Sequence, residues 1–467
     1  MIPGNLIQTG LGGFDSEEET FRELKKILPF SIVLFRSDFG TASELQELIK
    51  KINHAYEIDC GVKKPVIAVD QEGGNVVRIP WLDYIPSNYF LSRVDNQKLT
   101  YLSACITGTQ LSELGIRWNL APVLDTLNKF NPVLLERSFG DDLEKIGAHG
   151  SAIIRGLNDS GVASTAKHFP GHGSVMEDSH EVLPRDMRQK QLIYNDMYPF
   201  TMAIGNGVRS IMLSHVLYTE LDPDFPSSMS EKIQRLLREK LGFKGVILTD
   251  SVNMKALSSN YDLKEIVGQS VGKEVDIIET SSLQTASEID RILGEMDVKK
   301  MKDKVERNTN LVPQRTLKYN PPVEILDSFS LVFNRTERVG TIDPNKPFFL
   351  VLLDVKPESK VSEAKNDGSQ IVSTLKSQNF HFTVLSLDQL REREMKGAQI
   401  IFVGRNEHMK TRYEDINAAA ENNNCVFISS SISADIGVLN TKIAYISCYS
   451  TKSENVLGAI YRALQFF

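Results

Sequence analysis

The strongest constraint on how this chain can fold is a rhythm over about its first 300 residues. Seven short, mostly apolar runs are separated by helix-patterned stretches. The runs are SIVLF (31–35), PVIAVD (65–70), IRWNLAPVLD (116–125), VASTAKH (162–168), RSIMLSH (209–215), GVILTD (245–250) and VDIIET (275–280). Between the first two, Leu45, Leu48, Ile49 and Ile52 recur at the spacing of one helix face. Further helices are predicted near 97–115, 141–159, 188–204 and 230–240, with helical patterns continuing to about 310. Runs that are apolar throughout, rather than alternating, suit parallel strands buried on both faces. Repeated strand–helix units imply right-handed crossovers, and so either a TIM-type barrel or a doubly wound open sheet.

Polar residues decide between these two. Asp70, Asp125, His168, His215 and Asp250 each stand at the C-terminal end of a predicted strand. A barrel gathers such ends on one face, where barrel active sites are built, whereas an open sheet scatters them along an edge. The expected fold is therefore α/β: a TIM-type barrel over residues 1–312. From 313 to 346 the pattern breaks down, with Pro313, Pro321, Pro322 and Pro344 in a polar setting that reads as a linker. Beyond it FFLVLLDV, FTVLSL, AQIIFVG, NCVFISS and IAYISCY alternate with helical stretches, the last near 453–466. Residues 347–467 thus form a smaller α/β sandwich domain with a parallel sheet. At about 150 residues per domain a chain of 467 suggests three domains; a barrel counted as one unit makes it two.

Composition removes several classes of function. With 53 Lys plus Arg against 60 Asp plus Glu, the net charge of −7 leaves no electrostatic footprint for nucleic acid or an anionic membrane. No apolar stretch approaches the ~18 residues of a transmembrane helix. The start, MIPGNLIQTGLGGF, lacks the basic and apolar regions of a signal peptide. Cys60, Cys105, Cys425 and Cys448 form no CxxC pair, which disfavours a disulfide framework and a zinc knuckle. A cytoplasmic protein, monomeric or homodimeric, is expected.

Of the eight histidines, His168, His172 and His180 fall in one polar segment, KHFPGHGSVMEDSH (167–180). Pro170, Gly171 and Gly173 forbid a helix there, so a loop follows the strand. Asp178 and His180 are two apart, close enough for the carboxylate to fix the imidazole tautomer and raise its basicity. A polar surface loop would read the same way. So would a metal site, since His168, His172, Asp178 and His180 are all ligand types, although no HxH or HExxH spacing occurs. Asp250 suits a nucleophile held against a reacting carbon, or equally a helix cap. In VDQEGGNVVR (69–78), Asp70 beside Gly73 and Gly74 fits hydroxyl recognition better than phosphate cradling, because the GxGxxG and Walker spacings are missing. In LLERSFG (134–140), Arg137 can reach a polar substrate from a loop.

Together these residues resemble glycoside hydrolase family 3, most closely its β-N-acetylglucosaminidase branch. VDQEGGNVVR stands for DQEGGRVxR, APVLD for fAPVLDv, ERSFG for ERSf, KHFPGHGSVMEDSH for KHFPGHGxxxxDSH and GVILTDSVNM for GVIxSDDLxM. The resemblance spans residues 1 to about 310, and the KHFPGHG…DSH stretch is its most specific part. It implies a retaining exo-β-N-acetylhexosaminidase that uses no cofactor and no metal, acting on a small oligosaccharide or glycoconjugate. Asp250 would form the covalent glycosyl intermediate, and His180, paired with Asp178, would be acid and then base. Asp70, Arg137, Lys167 and His168 would hold sugar hydroxyls, with His215 and Met254 lining the same pocket. A phosphorylase or β-glucosidase of the same family is the nearer alternative, and a metal-dependent barrel hydrolase the more distant one. Three positions depart from the branch pattern: Ser251 replaces its second acid, Asn75 its arginine, and Lys273–Glu274 a small AG pair.

Overall fold

The computed structural model of the chain describes residues 3–74, 76–82, 86–127, 134, 136–175, 182–297, 301–313, 333–334, 346–353, 369–377, 380–391, 395–404, 413–429 and 444–447. The chain divides into two compact units. One is Met1–Glu72, Val77–Asp83 and Leu91–Pro321; the other is Gly73–Val76, Tyr84–Phe90 and Pro322–Phe467.

The first unit is a parallel barrel. Its strands are β1 (Ile7–Gly12), β2 (Ser31–Leu34), β3 (Val66–Val69), β4 (Trp118–Asn119), β5 (Ala163–Phe169), β6 (Ser210–Leu213), β7 (Val246–Thr249) and β8 (Ile278–Ser282). They pair in the order β7-β6-β5-β4-β3-β2-β1-β8, and a parallel bridge between Leu248 and Ile277 brings the two ends together. Long helices cross between strands, among them Glu17–Ile27, Ala42–His54, Gln97–Glu113 and Leu143–Asp159. Ser16, Thr41, Asn96 and Asp142 start them, each side chain accepting a first-turn N–H that would otherwise lack a partner. Val33, Ala68, Trp118, Ala163, Met212, Val246, Leu248 and Ile277 share one buried apolar cluster. The Trp118 indole N–H is satisfied there by Thr165 Oγ1 at 2.8 Å and Ser210 Oγ at 3.0 Å.

The elements differ from the expectation in three places. β1 has no apolar signature: Gln8 and Thr9 are buried polar residues, and Gly10 is forced because a Cβ there would meet Ser281 O at 2.5 Å and the Phe35 ring at 2.8 Å. The helix expected near 188–204 is two, Lys190–Asp196 and Tyr198–Gly205, since Pro199 can begin a helix but not continue one. In 116–125 regular pairing is confined to Trp118–Asn119, with Pro122 lacking the N–H that a ladder needs.

The second unit holds a sheet of β9 (Phe333–Asn334), β10 (Phe348–Leu352), β11 (Phe382–Leu385), β12 (Gln399–Gly404), β13 (Asn424–Ser429) and β14 (Ala444–Ser447). Its order is β9-β14-β13-β12-β10-β11. All pairs are parallel except β9 with β14, so part of the segment expected as a linker adds an antiparallel edge. Strand alternation supplies two cores. Leu350, Ile401, Val403, Val426 and Ile428 pack with Ile371 and Leu375, while Val351, Ile400, Phe402 and Phe427 pack with Ile416 and Ala420. The expected last helix (453–466) and Cys448 lie outside the described residues. Among the described residues, no helix is long and apolar enough to cross a membrane.

Candidate active site

Strand period places the charged residues. Side chains two apart along a strand share a side, so Asp70 follows Ala68, Lys167 follows Thr165 and Asp250 follows Leu248 out of the barrel interior to its C-terminal mouth. Just past β3, Glu72 is buried in the short strand Gln71–Gly73. Past β4 in the chain, Arg137 stands at the same mouth, against Glu72.

These groups form an ionic lattice. Lys167 Nζ donates to Asp70 Oδ1 and Glu72 Oε1, at 2.7 Å each. Arg137 grips Glu72 with two parallel bonds, Nε to Oε2 and Nη2 to Oε1, both 2.8 Å. Arg78 stands 3.8 Å from the other oxygen of Asp70. Burial alone would push the Glu72 carboxyl up, but the charges of Arg137 and Lys167 outweigh it and hold the group well below the usual carboxylate range. Burial likewise opposes the charge on Lys167, yet Asp70 and Glu72 raise its pKa. A fork-shaped guanidinium and an ammonium on two carboxylates make a rigid array of donors and acceptors suited to a polyhydroxylated ligand.

A second network orients the histidines. Asp125, fully buried, accepts His168 Nδ1–H at 2.7 Å, His168 N–H at 3.1 Å and His172 N–H at 2.7 Å. Burial would raise Asp125, but His168 lowers it, whereas burial takes His172 down to about 4. Gly173 belongs to this packing, since a Cβ would collide with Thr126 O. With Nδ1 engaged, His168 turns Nε2 toward Asp250 Oδ2 at 4.0 Å. Asp250 Oδ1 accepts the Ser251 N–H at 2.7 Å, and its side chain keeps 21% exposure. His215 is fixed at both nitrogens, by Ser228 Oγ at 2.8 Å and Ser251 O at 3.0 Å, and so braces the Asp250 loop from beneath. Met254 is buried on the same loop, its N–H donating to Ser251 O at 3.0 Å.

Asp70, Arg137, Lys167, His168 and Asp250 therefore converge, His215 supports the loop that carries Asp250, and Met254 follows on it. Asp178 and His180 lie outside the described residues. Glu72 was not singled out from the sequence, although it stands in a polar run directly after a strand. Glu279 was not either; its signal is an acid inside an apolar strand run, two residues beyond Ile277. His168 and His172 rings approach edge to face at 5.9 Å, and among the described residues no three His, Cys, Asp or Glu side chains gather as a metal ion requires. An anchored carboxylate at the mouth, beside an array of charged donors and acceptors, can attack a carbon centre held there.

A β-hexosaminidase of Glaesserella parasuis serovar 5 (strain SH0165) is 36% identical over 249 residues, 52% of this chain and 71% of the relative. The structure of a glycoside hydrolase family 3 β-N-acetylglucosaminidase from Paenibacillus sp. str. FPU-7 superposes with a TM-score of 0.85 at 24% identity, covering 99% of this chain and 95% of that one. Native NagZ from Neisseria gonorrhoeae gives a TM-score of 0.59 at 28% identity, over 69% of this chain and 92% of its own. The profile of the glycosyl hydrolase family 3 N-terminal domain matches residues 4–311, the whole barrel, and the chain belongs to that family.

Proposed function

We propose that the protein is a retaining exo-β-N-acetylhexosaminidase in which Asp250 is the nucleophile. The observation that carries this is the placement of Asp250 at the end of β7, with Oδ1 anchored by the Ser251 N–H and Oδ2 facing the Asp125–His168 pair. The relatives' names supply the sugar class. In the first step the Asp250 carboxylate bonds to the anomeric carbon while the glycosidic C–O bond breaks. The leaving oxygen takes a proton from His180, which Asp178 orients; these two roles rest on the DSH motif. Water then attacks the glycosyl ester, giving its proton to His180 and releasing Asp250. An imidazole can give and take a proton near neutral pH, so it serves both directions without the burial that a carboxylic acid partner needs. Lys167, Asp70 and Arg137 hold the sugar hydroxyls, and the barrel ends near residue 312. Free thiols at Cys60, Cys105 and Cys425 fit a reducing, cytoplasmic setting.

The test is turnover of an aryl β-N-acetylglucosaminide, with and without phosphate. Asp250→Ala is expected to lose about 10⁴-fold or more in kcat, and wild-type turnover is expected not to depend on phosphate. Substantial activity in the variant would overturn the assignment. Formation of a glycosyl phosphate would show phosphate, in place of water, to be the acceptor.

A further inference from the structure

Glu279 has no part in that mechanism, yet it stands in the same layer of the barrel. Ile277 packs in the interior cluster with Leu248 and Ala68; two residues further along the three strands come Glu279, Asp250 and Asp70. The Glu279 backbone is tied to both flanks of Asp250. Its N–H donates to Thr249 Oγ1 at 3.0 Å, and its carbonyl accepts from the Val252 N–H at 3.0 Å. The residue is 5% exposed.

The surroundings favour an uncharged side chain. Burial raises its carboxyl well above the ordinary range; Asp250 on the β7 side and Asp70 on the β3 side act in the same sense. Lys167 on β5 opposes them but is already engaged at 2.7 Å by both Asp70 and Glu72. On β1 the register partner is Gln8, which is neutral. Gln8 Nε2 donates to Ser31 Oγ at 2.9 Å, while the buried Gln8 Oε1 has no hydrogen-bond partner among the described residues. On the register neighbour of Gln8 a carboxylate supplies only acceptors, whereas a carboxylic acid carries a donor.

We propose that Glu279 is a positioning residue for Asp250: a carboxylic acid whose O–H serves the β1–β8 side of the barrel mouth, leaving Asp250 as the charged carboxyl that faces the sugar. The proposal rests on Asp250 being the nucleophile. Its test compares the wild type, Glu279→Gln, Glu279→Leu and Asp250→Ala across pH, using an aryl β-N-acetylglucosaminide. The Gln variant, uncharged and of the same shape, is expected to keep kcat/KM within about threefold, and the Leu variant to lose about tenfold, mostly in kcat. The acid limb of kcat/KM is expected not to move in the Gln variant. A downward move of about one unit would mean that Gln removed a charge beside Asp250, and would overturn the proposal. Wild-type kinetics in both variants would overturn it too. If the Leu variant fails to fold, the Gln profile and the loss of a protonated-carboxyl infrared band in that variant still decide. Activity in Asp250→Ala would sink the parent reading separately.

Discussion

At the residue scale, the site depends on charges that are buried but paired. Glu72 has both oxygens engaged by Arg137 and one by Lys167, and removing one member of such a cluster strands the others. Glu72→Gln is expected to destabilise the fold by about 3 kcal/mol in urea titrations at neutral pH. The pH dependence has a definite sign. The folded-state pKa is depressed, so the stability Glu72 contributes is fully present above its unfolded value of about 4.3 and is lost as pH falls below it. The wild-type urea midpoint should drop between pH 6 and 3.5, and the Gln variant should drop less; equal slopes would contradict the lattice. His180→Ala is expected to lose about 10²–10⁴-fold on poor leaving groups and far less on activated aryl ones, because only the former need protonation. Equal losses on both would argue against a proton donor. Asp70, His168 and Asp250 were legible in the sequence because each ends a strand run, and Lys167 through the family resemblance. Glu72 and Glu279 were not, because burial and partners give them their character, and neither shows in a residue's own letter.

At the element scale, barrel closure is where side chains supplement strand pairing. β7 meets the residues just before β8 through an isolated bridge, Leu248 with Ile277, and backbone bonds such as Thr249 N–H to Ile277 O and Asp276 N–H to Ile247 O; the Asp276 side chain adds to them. Its Oδ2 accepts the Ile247 N–H at 2.7 Å and pairs with Arg238, while Oδ1 takes Arg307 at 2.7 and 2.9 Å. Asp276→Asn should unpair two arginines and cost about 3 kcal/mol by urea unfolding, with an unchanged midpoint counting against the seam. Seven barrel strands were readable because strands covered on both faces are apolar throughout. β1 was not, since its interior positions carry Gln8 and its close approach to Ser281 demands Gly10. The same physics that hides β1 from a hydropathy reading also puts Gln8 beside Glu279.

At the scale of the whole molecule, two units with separate cores were foreseeable from the change in pattern after about residue 310. The short β9 was not, because two residues in a polar, Pro-rich stretch leave no periodic signal. A net charge of −7 coexists with a mouth where Lys167, Arg137 and Arg78 neutralise Asp70 and Glu72. The electrostatics of the mouth are therefore set by local pairing, not by the field of the whole chain. The most direct measurement is covalent trapping of the full chain with a 5-fluoro-N-acetylglucosaminyl fluoride, followed by peptide mass mapping. With Asp250 as the nucleophile, one glycosyl adduct is expected, located on Asp250 and missing from Asp250→Ala. An adduct on another residue, or turnover of the reagent by Asp250→Ala, would contradict it.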